Sequence, residues 1–390
     1  MKYRMPSYYS KFKCIADKCP ETCCAGWEIV IDDKTMKKYR GLDRETRDYI
    51  LSHVDLPQGI YKQRGDRCAF LNQDNLCNLY INAGEDKFCN TCRRYPRHFE
   101  EYGNLIEGAL SMSCPVAARM IIDNPHKDKF LVRTREEVLV KNDVDTLLLD
   151  TLLKIRSKIF AIAGDRHISI DTRFAQILAL GDKLQPHIFH YEKLGYKRKI
   201  SIFNRKILSK IQHILNKNSG LKDNNSCGNI SLRRSYMDMF LGFENINEKW
   251  PQLIEEYMKI LYTDMSEEEY IERYTRFIAY MKERQYEYEH IFVYFIYTYF
   301  LGSVYDYNIQ GMIKFAIIST LIIREMGFAK WILNGEKLSV EDQICVAYTY
   351  SRQMEHSDNN LTSIEGILTA HPLFSERNII DAMDFGGYNG

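Results

Sequence analysis

From about residue 126 onward the apolar positions recur at helical spacing. The stretches "VDTLLLDTLLKIRSKIFAIA" (144–163), "DTRFAQILALGDKL" (171–184) and "KISIFNRKILSKIQHIL" (199–215) carry it first. They are followed by "NEKWPQLIEEYMKILY", "SEEEYIERYTRFIAYMKERQ", "MIKFAIISTLIIREMG" and "VEDQICVAYTYSRQME". Apolar residues three and four apart on one face predict amphipathic helices. Ser266 with Glu269 three residues on predicts a capping box, and Ser339 with Asp342 a weaker one. "LKDNNSCGN" (221–229) reads as a loop by composition. Strand signals are sparse, and "EVLV" (137–140) is the best of few. No fixed-period repeat is present.

The first 125 residues have a different texture, rich in cysteine, glycine and turns, with short elements. Cys19 before Pro20 and Glu21 predicts a helix start with proline at its first position. Cys23, four residues on, would share that face. "DDKTMKKY" (32–39) predicts a second helix capped by Asp32 or Asp33. The expected fold is mainly α: a loop-rich N-terminal cysteine module (1–125), then a large all-helical domain (126–390). Helices this short bury little apolar area, so the first part calls for staples, which bound metal supplies.

Composition narrows the function classes. The 53 basic and 52 acidic residues nearly cancel, and no basic stripe marks a nucleic-acid surface. The longest apolar run, "IFVYFIYTYFLGSVY" (291–305), is too short and tyrosine-rich to span a membrane. The start, "MKYRMPSYYSKFKC", has charge but no apolar leader core. A cytoplasmic protein with no nucleic-acid or membrane partner is expected.

Nine of the eleven cysteines lie at positions 14–114. They read as Cys14, Cys19, Cys23 and Cys24; then Cys68 and Cys77; then Cys89 and Cys92; then Cys114. In a reducing compartment such density points to metal rather than disulfides. Thiolates hold zinc in a four-sulfur tetrahedron, or an iron–sulfur cluster. Cys89 and Cys92 alone have the C-x2-C spacing of a zinc knuckle. The adjacent pair Cys23-Cys24 suits two metals, or one ligand and one bystander, because neighbouring side chains diverge. Nine thiols could serve two four-ligand sites with one left over, or one site with spares. Isolated Cys227 and Cys345 read as small buried apolar residues.

The pieces "FKCIADKCPETCCAGW", "CAFLNQDNLCNLY", "CRRYPRHF" and "SMSCPVAAR" resemble, in order, the cysteine signature of flagellin lysine-N-methylases. The first two also resemble the wider group with a zinc- or iron-chelating cysteine domain. The resemblance implies an S-adenosylmethionine-dependent enzyme that methylates lysine amines of flagellin. It also implies a metal centre, a [4Fe–4S] cluster with zinc as the alternative. The matching ligands are Cys14, Cys19, Cys23, Cys24, Cys68, Cys77, Cys92 and Cys114, which leaves Cys89 outside the pattern. The competing class is a non-catalytic metal-binding or redox-sensing protein whose helices dock a partner.

Methyl transfer to lysine needs a neutral amine, an in-line sulfonium and exclusion of water. Aromatic faces suit both cations. "QYEYEHIFVYFIYTYF" (285–300) offers such faces, with Glu287, Glu289 and His290 as polar members, although aromatics at helical spacing are usually core. No glycine-rich turn follows a strand-like run, and "FGGYNG" (385–390) is a tail, so a Rossmann-type donor site is not expected. The C-x3-C-x2-C triplet of radical enzymes is absent. In "CRRYPRHF", Arg93, Arg94, Arg97 and His98 would offset thiolate charge, bind an acidic partner or balance local charge. The donor is expected between the two parts, beside this segment and an aromatic helix face.

Overall fold

The computed structural model describes residues 1–136, 144–195, 209–214 and 228–383. The expected strand at 137–140, most of the 199–215 helix and of the 221–229 loop, Cys227 and the 385–390 tail lie outside them. The chain is mainly helical, with its strands at the N-terminal end.

The main sheet was not anticipated. Strands β1 (Lys2–Pro6), β2 (Arg97–Tyr102), β3 (Leu105–Leu110) and β4 (Phe130–Thr134) form one mixed sheet in the order β2-β3-β1-β4. β1 runs parallel to β3 and antiparallel to β4, while β2 and β3 are an antiparallel hairpin. Strand β3 is buried at all six positions, so it shows no alternation of apolar and polar residues. Strands β1 and β2 are rich in charge, and β4 is exposed over its last four positions. Two pairs of two-residue strands, 54–55 with 60–61 and 63–64 with 67–68, brace the cysteine region.

Helix α1 (Asp33–Arg40) forms as expected, and Asp32 is its cap, accepting from Thr35 N at 3.0 Å. The helix expected from Cys19 does not form. Residues 16–18 make one 3-10 turn, and the chain then runs irregularly through Cys23 and Cys24. After the eight-residue helix α2 (Pro115–Ile122), the long helices begin with α3 (Thr146–Ala163) and α4 (Ile170–Gly195). Those that position the site are α5 (Tyr286–Tyr299), α6 (Ile309–Leu333) and α7 (Val340–Glu355). The Ser266 hydroxyl caps Glu269 N at 3.2 Å, but the full reciprocal box forms at Ser339 and Asp342.

Helix α6 is apolar around most of its circumference and is buried accordingly. It anchors the main core, which also takes in Tyr102, Leu105, Met112 and Ile121 from the N-terminal part. The sheet is fastened to the helices by charge. Glu107 on β3 takes Arg156 of α3 at 2.5 and 2.7 Å, and Arg4 of β1 at 3.2 Å. A second, smaller core gathers Ile29, Tyr39, Ile50, Tyr61, Phe70 and Leu79 with five of the cysteines. No helix among the described residues is long and apolar enough to cross a membrane.

Candidate functional site

The nine clustered cysteines come from four backbone segments and are all free thiols. Cys24, Cys68, Cys77, Cys89 and Cys92 pack in the smaller core, whereas Cys114 packs in a third cluster with Phe12, Leu110 and Ala117. Backbone pairing draws the segments together. Cys68 N donates to Cys24 O at 2.8 Å, and Ala25 bridges Arg67. Asn72 closes the 68–77 loop by accepting from Leu76 N at 2.9 Å, and Leu71 bridges Cys77. Asp32 reaches past its own helix to accept Asn90 N at 3.0 Å, which fixes the turn holding Cys89 and Cys92.

Cys77, Cys89 and Cys114 each stand at the N-terminal cap of a helix. Amides of the following turn face the sulfurs without closing a cap hydrogen bond, and they favour thiolate. Burial works the other way and pushes Cys68 and Cys114 up to about 11. Cys89 and Cys92 act on one another as neighbouring thiols, which holds Cys89 below the usual thiol range and pushes Cys92 well above it. Cys89, left out by the resemblance, therefore sits beside Cys92.

The thiols feel one another's charge in two overlapping sets. Cys14, Cys19 and Cys114 form one; Cys24, Cys68, Cys77, Cys89 and Cys92 form the other; Cys23 is close to members of both. Among the described residues no three His, Cys, Asp or Glu side chains converge on a single-ion position. The sulfurs are gathered around one another without meeting at a point. The donor chemistry fits a thiophilic group: nine sulfurs, several of them buried, with no disulfide among them.

A cation from the helical part reaches this cluster. Arg352 on α7 donates to Thr22 O (3.1 and 3.2 Å) and Ala25 O (2.7 Å), and its guanidinium lies within charge range of Cys23. The "CRRYPRHF" side chains are engaged elsewhere. Arg93 donates to Phe88 O, Arg97 lies over the Phe12 ring at 5.0 Å, and His98 meets Glu100 at 2.8 Å. Arg94 is exposed.

One turn past Arg352 the junction becomes polar and aromatic. His356 lies against Trp27 (ring centroids 4.9 Å apart), and its Nε2 is 2.8 Å from Ser113 Oγ. Tyr95 OH is 3.0 Å from the same oxygen. Trp27 donates to Cys23 O at 2.9 Å, joining this aromatic group to the thiols. Burial and the charge of Arg352 pull His356 down to about 3, so the imidazole is neutral. Beside it, Glu355 accepts from Tyr294 (2.6 Å), Tyr299 (2.7 Å) and Ser351. Burial pushes its carboxyl above the ordinary value despite those three donors.

Helix α5 is mostly core, as helical spacing of aromatics suggests. Glu289 is held by Arg166 (2.9 Å, twice) and Arg173 (2.8 Å), and Glu287 by Arg284 (2.6 Å). His290 is buried, with no hydrogen bond to either ring nitrogen. None of the three lines the junction; Tyr294 and Tyr299 are the members of the aromatic stretch that reach it, both donating to Glu355. Arg352, Glu355 and His356 were missed. Their trace in the sequence is the polar triplet Arg352, Glu355 and His356 of "SRQMEH", spaced three and four apart on one helical face. Cys345, expected to be buried, is exposed on α7 and donates to Tyr348 OH at 3.3 Å.

Residues 156–380 match the family model of the FliB lysine N-methylase C-terminal domain. The chain belongs to the FliB lysine N-methylase family. It is 25% identical over 179 residues to proteins named lysine-N-methylase from Salmonella typhimurium and Salmonella choleraesuis, covering 44% of this chain and 44% of each relative. It is 29% identical over 134 residues to the flagellar biosynthetic protein FliU of Salmonella muenchen, covering 31% of this chain and 76% of that protein. No solved structure matches. The FliB match includes Arg352, Glu355 and His356, so the helix that braces the cysteine loop belongs to the family domain.

Proposed function

We propose that this chain transfers methyl groups from S-adenosylmethionine to lysine ε-amines of flagellin, and that its cysteines hold an iron–sulfur centre, with zinc as the alternative occupant. The observation that carries the reading is the match of residues 156–380 to a lysine N-methylase domain. The relative named for flagellar biosynthesis points toward the substrate. Cys14, Cys19, Cys23, Cys24, Cys68, Cys77, Cys92 and Cys114 hold the centre, and Cys89 joins them as the neighbour of Cys92. Bound there, such a centre ties the loops together and supplies Lewis acidity wherever an iron is left open.

The donor sits between residues 1–125 and 126–390, at the junction of Trp27, Tyr95 and α7. Aromatic faces there favour a sulfonium or an ammonium by cation–π attraction. Glu355, whose carboxyl burial raises above the ordinary carboxylate value, is the general base that takes the ammonium proton. Its three hydroxyl partners hold it in one orientation.

Flagellin incubated with the anaerobically purified chain and S-adenosylmethionine should gain single-methyl mass steps on lysines. Absence of any gain with a metal-loaded preparation overturns the reading. Glu355→Gln should slow the steps by about 10²-fold or more, with the thermal midpoint little changed.

A further inference from the structure

The loop that carries Cys23 and Cys24 has no helix or strand of its own between Cys19 and Ala25. Its carbonyls from Thr22 to Ala25 nevertheless all have partners. Cys24 O accepts from Cys68 N and Cys23 O from Trp27 Nε1. Thr22 O and Ala25 O, which flank the two cysteines, both accept from the one guanidinium of Arg352. That side chain is 7% exposed, and Glu21 lies 3.9 Å from it on its outer side. The loop is also pressed against the helical part at Gly26. Its φ of +80° suits glycine, and an added Cβ would lie 3.3 Å from Ile246 O and 3.5 Å from Arg352 Nη2.

We propose that Arg352 is the positioning residue through which the helical part holds the Cys23–Cys24 loop in its metal-presenting form. This rests on the proposed metal centre. A planar guanidinium reaches two carbonyls at fixed separation with parallel N–H groups, which a lysine ammonium cannot reproduce. Arg352 thereby fixes how far apart the ends of the Cys23–Cys24 turn stand. It also keeps a buried positive charge beside thiols that bind metal only as anions. Arg352 lies 330 residues from Thr22, so a change in the FliB domain is felt at the thiol cluster.

The test uses the full chain purified without oxygen, as wild type, Arg352→Gln and Arg352→Lys. Iron, acid-labile sulfide and zinc per chain, the reduction midpoint of any coloured centre, and hydrogen exchange over residues 19–27 are measured together. Arg352→Gln should lose at least half of the bound metal and exchange about tenfold faster in that segment, with α5 and α6 protected as in wild type. Any centre it retains should be harder to reduce, because a nearby positive charge is gone. Arg352→Lys should recover the midpoint but only part of the slow exchange, since it restores the charge without the fork. Wild-type metal content, midpoint and exchange in Arg352→Gln overturn the proposal. If the wild type binds no metal, the metal reading fails, while the exchange comparison still decides whether Arg352 holds the loop. Should Arg352→Gln expose α5 and α6 as well, the Arg352→Lys comparison decides it, and wild-type exchange there overturns the positioning role.

Discussion

Glu289 illustrates how a residue with catalytic chemistry is spent on structure. It is 3% exposed, and its carboxylate receives three hydrogen bonds from Arg166 and Arg173. Burial opposes its ionisation, but the bonds from Arg166 and then Arg173 outweigh it and hold the carboxyl below the usual value. Removing the charge strands a buried cation at Arg173, so Glu289→Gln should cost about 3–5 kcal/mol, read from urea unfolding. The pH dependence follows the same pair. A carboxyl with a depressed folded pKa contributes stability above its unfolded value, near 4.3, and that contribution is lost as pH falls through the folded value. Wild type should therefore lose stability more steeply than Glu289→Gln below about pH 4. Equal slopes would mean that the Arg166 and Arg173 bonds do not matter in solution. The sequence offered Glu287, Glu289 and His290 as a group, but not the arginines that occupy the two acids. The arginines on Glu289 arrive from a segment more than a hundred residues away, whereas Arg284 holds Glu287 from one turn back in the chain.

At the scale of elements, α7 links the family domain to the thiols, so its N-terminus is worth testing. Ser339 and Asp342 close the reciprocal box, with Asp342 N donating to Ser339 Oγ and Ser339 N to Asp342 Oδ2, each at 3.0 Å. Ser339→Ala should cost about 1 kcal/mol and lower the thermal midpoint by about 2 °C. A midpoint unchanged within a few tenths of a degree would show that this cap frays in solution. The helices were legible because one buried face repeats every three to four residues, and Asp32, Ser266 and Ser339 announced their starts. The strands were not. β3 is buried on both faces and shows no alternation, while β1 and β2 carry charges that tertiary ion pairs and aromatic stacking absorb. The proline after Cys19 proposed a helix, but pairing with Cys68 and Arg352 fixed that backbone in another form.

Across the whole molecule, the small core around Tyr39, Tyr61 and Phe70 is separate from the large helical one. It contains five cysteines, so metal should matter most there. Cys68→Ser should lower bound metal and open residues 29–92 to protease, with the helices after residue 144 left intact. Cys345→Ser, on the exposed face of α7, should leave metal per chain unchanged. Full metal content in Cys68→Ser, or loss in Cys345→Ser, would show that the ligands are drawn from elsewhere.

What the sequence determined by itself was local or countable: helical period, caps, the crowding of thiols at one end, and four cysteine blocks in a recognisable order. These depend on neighbours within a turn or on composition, so they survive without coordinates. The tertiary structure decided which thiols share a core. It spent Glu289 on Arg166 and Arg173, and it brought Arg352 to the Cys23–Cys24 loop. Each of those outcomes depends on a partner tens to hundreds of residues away. Which distant segments meet is set by burying two cores at once while every buried charge and carbonyl finds a partner, and no local pattern encodes that condition.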